Sequence, residues 1–181
     1  IFTAIILILV FLAQKYKPDN NHFKEQSFDL NANSLPENYR LRNGKLTISE
    51  NFKIIWQSEA TWRVVDFILK DVTNDGAADL NLSVWKAGNF GKYMPFWIKE
   101  NDMSIKNHFF VFNFKDGQLK PVWQSSNLTV PNCRIEIYDI DGDKQNELVV
   151  TEGEYSEKFE CKGDYLAVWK WNGWGFTNIW R

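Results

Sequence analysis

Phe110-Val111-Phe112-Asn113-Phe114-Lys115-Asp116-Gly117-Gln118-Leu119-Lys120-Pro121-Val122-Trp123 reads as two strands about a tight turn. Phe110, Phe112 and Phe114 alternate with Val111 and Asn113, the two-residue period of a strand. Lys115-Asp116-Gly117 is the turn signal, and Leu119 to Trp123 runs back. Related text surrounds it. Asp116-Gly117-Gln118-Leu119, Val122-Trp123-Gln124-Ser125 and Asp139 to Leu148 match Asn43-Gly44-Lys45-Leu46, Ile55-Trp56-Gln57-Ser58 and Asp71 to Leu80. The Trp-Gln-Ser landmarks and the acidic landmarks recur at nearly the same offset, the mark of an internal repeat.

A third start follows at the end of the sequence. Ala167-Val168-Trp169-Lys170-Trp171-Asn172-Gly173 resembles Phe110 to Gly117, and Ile179-Trp180-Arg181 resembles Val122-Trp123-Gln124. With 14 Phe, 9 Trp and 6 Tyr beside Val/Ile-rich runs, the composition favours strands. No stretch after Tyr39 has a helical period. The expected fold is all-β: antiparallel four-stranded repeat units resembling propeller blades, two full units plus part of a third, preceded by an N-terminal apolar helix. The expected boundaries are a signal-anchor or transmembrane segment at 1–15, a polar tether at 16–38 and a β-repeat domain at 39–181. Within that domain the units run about 39–105, 106–163 and 164–181.

Ile1 to Ala13 reads IFTAIILILVFLA, apolar with no polar face. It is short of the roughly 20 residues of a full span. We read it as the end of a signal-anchor helix and the membrane contact of the chain, with a cleaved signal peptide as the alternative. The expected location is extracytoplasmic, at a cell surface or in a periplasm, and secreted if the segment is cleaved. A net charge of −2 without a basic stripe speaks against nucleic acid. Cys133 and Cys161 either bridge or remain two buried thiols, since spacing alone does not decide.

The acidic stretches carry the chemistry. Asp139-Ile140-Asp141-Gly142-Asp143-Lys144-Gln145-Asn146-Glu147 places carboxylates at positions 1, 3, 5 and 9. Four carboxylates so close repel unless a cation sits among them. Calcium takes 6 to 8 oxygens from carboxylates, carbonyls and water. Asp139, Asp141, Asp143, Glu147 and the carbonyl of Gln145 would supply most of that shell, with Gly142 permitting the curl. Asp71-Val72-Thr73-Asn74-Asp75-Gly76-Ala77-Ala78-Asp79 repeats the pattern with Asp71, Asp75, Asp79 and the carbonyl of Ala77. Thr73 stands at position 3, a neutral and weaker ligand. An EF-hand does not fit, because that loop has twelve residues and helical flanks. The competing reading is a pair of Asp/Gly-rich turns that hold no ion.

The pattern Asp-x-Asp-Gly-Asp-x-x-x-Glu-Leu at Asp139–Leu148 resembles the calcium loop of FG-GAP and VCBS-type repeats, and Asp71–Leu80 resembles a degenerate copy. That resemblance spans at most Leu46 to Arg181 and implies propeller blades, bound calcium, an extracytoplasmic location and a role in adhesion or ligand binding.

Other chemistry is sparse. His22 and His108 have no second ligand at metal spacing and read as surface residues. No nucleophile elbow or phosphate loop is present. Glu152 and Glu154 alternate on a strand and read as a solvated edge or outer calcium ligands. Trp85, Trp97, Trp171 and Trp174 either stack on sugars or pack internally. Asn81 and Asn127 open sequons. The sequence therefore reads as a non-enzyme: a calcium-stabilised binding or adhesion module for an unknown protein or glycan. The alternatives are an accessory carbohydrate-binding part of a secreted hydrolase and a cell-envelope scaffold.

Overall fold

The computed structural model describes residues 23–90, 94, 96–156 and 161–181, and it forms three four-stranded antiparallel sheets. The first holds β1 (Phe23–Phe28), β2 (Glu37–Arg42), β3 (Lys45–Glu50) and β4 (Lys53–Gln57). The second holds β5 (Arg63–Lys70), β6 (Asp79–Ala87), β7 (Ile105–Lys115) and β8 (Gln118–Gln124). The third holds β9 (Asn132–Tyr138), β10 (Glu147–Tyr155), β11 (Cys161–Trp171) and β12 (Phe176–Trp180). Each is a meander in chain order, so every strand pairs with its sequence neighbour. The short turns make this local: Asp116 and Gly117 both take positive φ between β7 and β8, as the Asp-Gly pair predicts.

The all-β architecture agrees with the sequence, but the frame of the units is corrected. The expected units, 39–105, 106–163 and 164–181, begin inside β2, β7 and β11, so their boundaries cut through the sheets instead of falling between them. The third sheet is complete, with its first half inside the expected second unit. Residues 23–38, expected within a tether, carry β1 and the loop into β2. Phe23-Lys24-Glu25-Gln26-Ser27-Phe28 is an edge strand, exposed at every second residue. An edge strand needs little apolar periodicity, because ladder bonds and Lys24, whose Nζ lies 2.8 Å from Asp66 Oδ1, hold it in place. No helix occurs among the described residues, and the apolar helix expected in 1–15 lies outside them. The three sheets form no closed ring.

The sheets stack through two cores. Tyr39, Leu41, Leu46 and Ile48 of the first meet Phe67, Leu82 and Phe110 of the second. Phe109 and Val111 meet Ile135, Ile137, Leu148 and Val150 of the third. Successive residues of β7 thus feed opposite cores, as strand alternation dictates. Aromatic contacts join the layers: Tyr39–Phe67 ring centroids lie 6.1 Å apart, and Phe109–Phe176 centroids 5.5 Å. Each fully buried side chain of this size contributes roughly 2–3 kcal/mol of apolar transfer.

Burial of both faces of the second sheet overturns one expectation and decides another in favour of internal packing. His108, read as a surface residue, is fully buried on β7, with Nδ1 3.0 Å from the Ser125 carbonyl. Trp85, a candidate sugar platform, is buried edge-on to Tyr155 at 5.4 Å. Asn81 of the first sequon is also fully buried, its amide donating to the carbonyls of Lys70 at 2.8 Å and Ile68 at 3.2 Å.

Cys133 on β9 and Cys161 on β11 form a disulfide, with Cα atoms 5.2 Å apart. These strands flank β10, so the bridge crosses over it. It crosses at Gly153: a Cβ there would lie 2.5 Å from Cys133 Sγ and would overlap the carbonyl oxygen of Lys162. Gly153→Ala is expected to cost about 3 kcal/mol, by overpacking and loss of the bridge. Urea unfolding with a free-thiol assay checks this; an unchanged midpoint with the bridge intact would refute it.

A second expectation concerns pH. Burial pushes the His108 imidazole down to about 4 from 6.5. The unfolded chain therefore takes up this proton first, and stability is lost as pH falls from 6.5 toward 4. Unfolding midpoints at pH 7, 5.5 and 4.5 should fall less steeply in His108→Gln than in the unchanged chain. Parallel slopes would contradict the assignment.

Candidate metal centre

The first connection of each sheet is an acidic loop: 29–37 between β1 and β2, 71–79 between β5 and β6, and 139–147 between β9 and β10. The three share one backbone form. Position 4 is left-handed in each, at Ala32 (φ 55°), Asn74 (59°) and Gly142 (82°). So is position 6, at Ser34 (70°), Gly76 (91°) and Lys144 (70°). Only two of these six residues are glycine, so the loop itself holds the others in a region L side chains disfavour.

The carboxylates at positions 1 and 9 hold that form. Asp139 Oδ1 accepts the Gly142 N–H at 2.7 Å and Oδ2 that of Lys144 at 2.9 Å. Asp71 accepts those of Asn74 at 2.6 Å and Gly76 at 2.8 Å. Asp29 accepts those of Asn33 at 3.1 Å and Ser34 at 2.8 Å. Position 9 is fully buried in all three loops, at Glu37, Asp79 and Glu147. One oxygen caps the N–H of position 2: Leu30 at 2.8 Å, Val72 at 3.0 Å and Ile140 at 3.1 Å. The other oxygen is buried without a hydrogen bond in each case: Glu37 Oε1, Asp79 Oδ1 and Glu147 Oε1.

Loop 139–147 converges furthest. Asp139, Asp141 and Glu147 each offer a carboxylate oxygen, all within 4.8 Å of one another. Among the described residues, neither other loop brings three such side chains together in this way. A hard, all-oxygen set with a buried unsatisfied carboxylate oxygen suits calcium. Asp143 departs from expectation. Its Oδ2 lies 2.6 Å from Lys170 Nζ, which also stands 3.3 Å from Glu147 Oε1, an ion-pair distance without hydrogen-bond geometry. Lys170 holds the Asp143 carboxyl below its usual range, and Asp143 holds the Lys170 ammonium above its own. The Gln145 N–H donates to Asp143 Oδ1 at 2.7 Å, closing a local turn.

Loop 71–79 satisfies itself. The Thr73 hydroxyl donates to Asp79 Oδ2 at 3.0 Å, and Asp75 Oδ1 accepts the Ala77 N–H at 2.9 Å. Burial pushes the Asp79 carboxyl up to about 6, against the opposing pull of the Val72 and Thr73 N–H groups. Thr73 thus binds the loop's own carboxylate. The two loops also clasp each other: the Asn146 N–H donates to Asn74 Oδ1 at 2.6 Å, and Asn146 Nδ2 to the Asp71 carbonyl at 2.7 Å.

Loop 29–37 escaped the sequence reading. It carries Asp29, Asn31, Asn33 and Glu37 at positions 1, 3, 5 and 9, the spacing of the others with amides at 3 and 5. Asn31 and Asn33 donate their amides to Glu50 Oε1 at 3.0 and 2.8 Å. Of the remaining candidates, Glu152 is buried and ion-paired with Arg181 at 3.1 Å, while Glu154 is exposed. His22 lies outside the described residues. Trp97 and Trp174 are exposed, and Trp171 packs on Trp123 and Phe176.

Lys170 provides a direct test, because its ammonium competes with any divalent ion for Asp143 and Glu147. Lys170→Met is expected to tighten calcium binding roughly tenfold, the effect of removing about 1.4 kcal/mol of like-charge competition. Titration calorimetry measures it; equal or weaker binding would show that the lysine does not compete. No protein-family model, curated protein or solved structure matches this chain.

Proposed function

We propose that the chain is a non-catalytic, calcium-stabilised binding or adhesion module, held at a membrane by residues 1–13 and facing an extracytoplasmic space. The observation that carries this reading is the convergence of carboxylate oxygens from Asp139, Asp141 and the buried Glu147 within 4.8 Å of one another. The Lys170 ammonium, 3.3 Å from Glu147 Oε1, offsets only part of the charge of three converging carboxylates, and a divalent cation among them would offset the rest. The ion is proposed at Asp139, Asp141 and Glu147, with Asp143 joining when Lys170 moves away. Loop 71–79 is the weaker site because Thr73 has already taken one Asp79 oxygen. The Cys133–Cys161 bridge is consistent with an oxidising compartment.

Calcium here acts structurally. Bound only by the folded chain, it stabilises that state by mass action. It also fixes the strand end from which Trp171 and loop residues face solvent. A cavity of about 420 Å³ between loops 71–79 and 139–147 is lined by Asn74, Asn146 and Trp171. Amides beside an indole suit a sugar ring, so the accessory carbohydrate-binding reading stays as the second one.

Thermal melting of the full chain in calcium and in chelator tests the first reading. At calcium about 100-fold above Kd the gain is about 2.7 kcal/mol, or a Tm rise of roughly 5–10 °C. Asp141→Ala should abolish the rise, whereas Thr73→Ala, which removes one donor from Asp79 Oδ2 in the weaker loop, should leave it in place. Identical melting with and without calcium removes the metal from the proposal. A glycan array probed with the same protein separates the sugar-binding reading.

A further inference from the structure

The antiparallel meanders give the stack two unlike ends. All three acidic loops lie at one end, because each joins the first strand of a sheet to the second. The chain joins β1 at the other end. Phe23 pairs with Arg42, beside the β2–β3 turn, and the Gly44 carbonyl in that turn accepts the Val64 N–H at 2.8 Å. Val64, the second residue of β5, pairs with Val84 of β6, so the β6–β7 connection emerges at this same end.

That connection exposes large apolar groups. Phe96 is 94% and Trp97 67% exposed, and their rings meet edge-to-face at 4.8 Å. Phe23, Met103 and Ile105 are also exposed at this end. Phe52 and Trp174, exposed at the acidic end, occupy separate turns on different sheets. The base of the β6–β7 connection is pinned. Asn101 Oδ1 accepts the N–H groups of Asn89 at 2.7 Å and Phe90 at 3.2 Å. Asn127 ties it to the body of the protein, its N–H donating to Asn89 Oδ1 at 2.6 Å and its amide to Asp102 Oδ2 at 3.0 Å.

We infer that Phe96 and Trp97 form a second membrane contact, entering the lipid–water interface at the end of the stack where the chain arrives from its apolar segment. This rests on the reading of residues 1–13 as the membrane segment. Only nine residues, Gln14 to His22, separate that segment from Phe23, and fully extended they reach about 30 Å at most. The β1 end of the stack is therefore the end held near the bilayer. Indole and phenyl rings favour the interfacial zone, where an apolar body and a polar edge are both accommodated. Arg42 and Lys45, exposed on the β2–β3 turn, and Lys99 beside the aromatic pair suit anionic headgroups. The acidic loops, with their like charge, point away from the lipid.

Reconstitution of the full chain in liposomes of phosphatidylcholine and phosphatidylglycerol, with and without brominated acyl chains, tests the contact. Trp97 is one of nine tryptophans, so brominated lipid should quench roughly a tenth of the emission in the unchanged chain and almost none in Trp97→Phe. Flotation reports the membrane segment separately. A chain that floats but whose quenching is the same in Trp97→Phe overturns the aromatic contact and leaves the anchor standing. A chain that does not float overturns the anchor and this inference together. Concentration-dependent shielding of Trp97 without lipid would assign the patch to a second copy instead and also overturn it.

Discussion

A carboxylate buried at the first residue of the second strand of each sheet is the constraint on which this architecture turns. Glu37, Asp79 and Glu147 open β2, β6 and β10, and each caps the backbone N–H of the second loop residue. The cap fixes the curl of the loop and hence the angle at which the first strand meets the second. Each sheet is a meander, so that first hairpin positions the strands after it. The same residue lies under the core with an oxygen left over, which makes the fold dependent on how local charge is balanced.

The three loops answer that demand differently on one backbone. In 139–147 a lysine from β11 reaches across to Asp143 and Glu147, and three carboxylates still converge. In 71–79 a threonine hydroxyl replaces an acid, and the position-9 carboxyl drifts toward its neutral form. In 29–37 two asparagines take the acidic positions and turn their amides to Glu50 on β3. The gradation from carboxylate to hydroxyl to amide changes how many carboxylates converge while leaving the turn intact. Loop geometry is therefore separable from the number of carboxylates the loop presents.

Strand character and turn chemistry were legible in the sequence because they are local. Phe110 to Trp123 folds as its alternation and Asp-Gly turn dictate. The spacing of Asp139, Asp141 and Glu147 likewise led to the residues that converge. What escaped depends on neighbours distant in sequence. His108 looks polar and local, yet a sheet covered on both faces buries it. Asp143 and Lys170 are 27 residues apart, so their pairing leaves no spacing signal. The bridge was undecidable from the cysteines, although Gly153 and Gly163 mark where it passes: a side chain at either would strike its neighbours. β1 stayed hidden because an edge strand tied by a lysine and by ladder bonds needs no apolar stripe.

The phase difference between repeats and sheets has its own consequence. A repeat spanning β3 to β6, or β7 to β10, finishes one sheet and begins the next. It therefore brings along both sides of a sheet–sheet interface in a single stretch of chain. Tandem duplication of such a stretch yields a longer stack without inventing a new contact surface. Its cost falls on the ends, where a half-sheet must always be supplied from elsewhere. Here β1 and β2 supply it at one end, and β11 and β12 at the other.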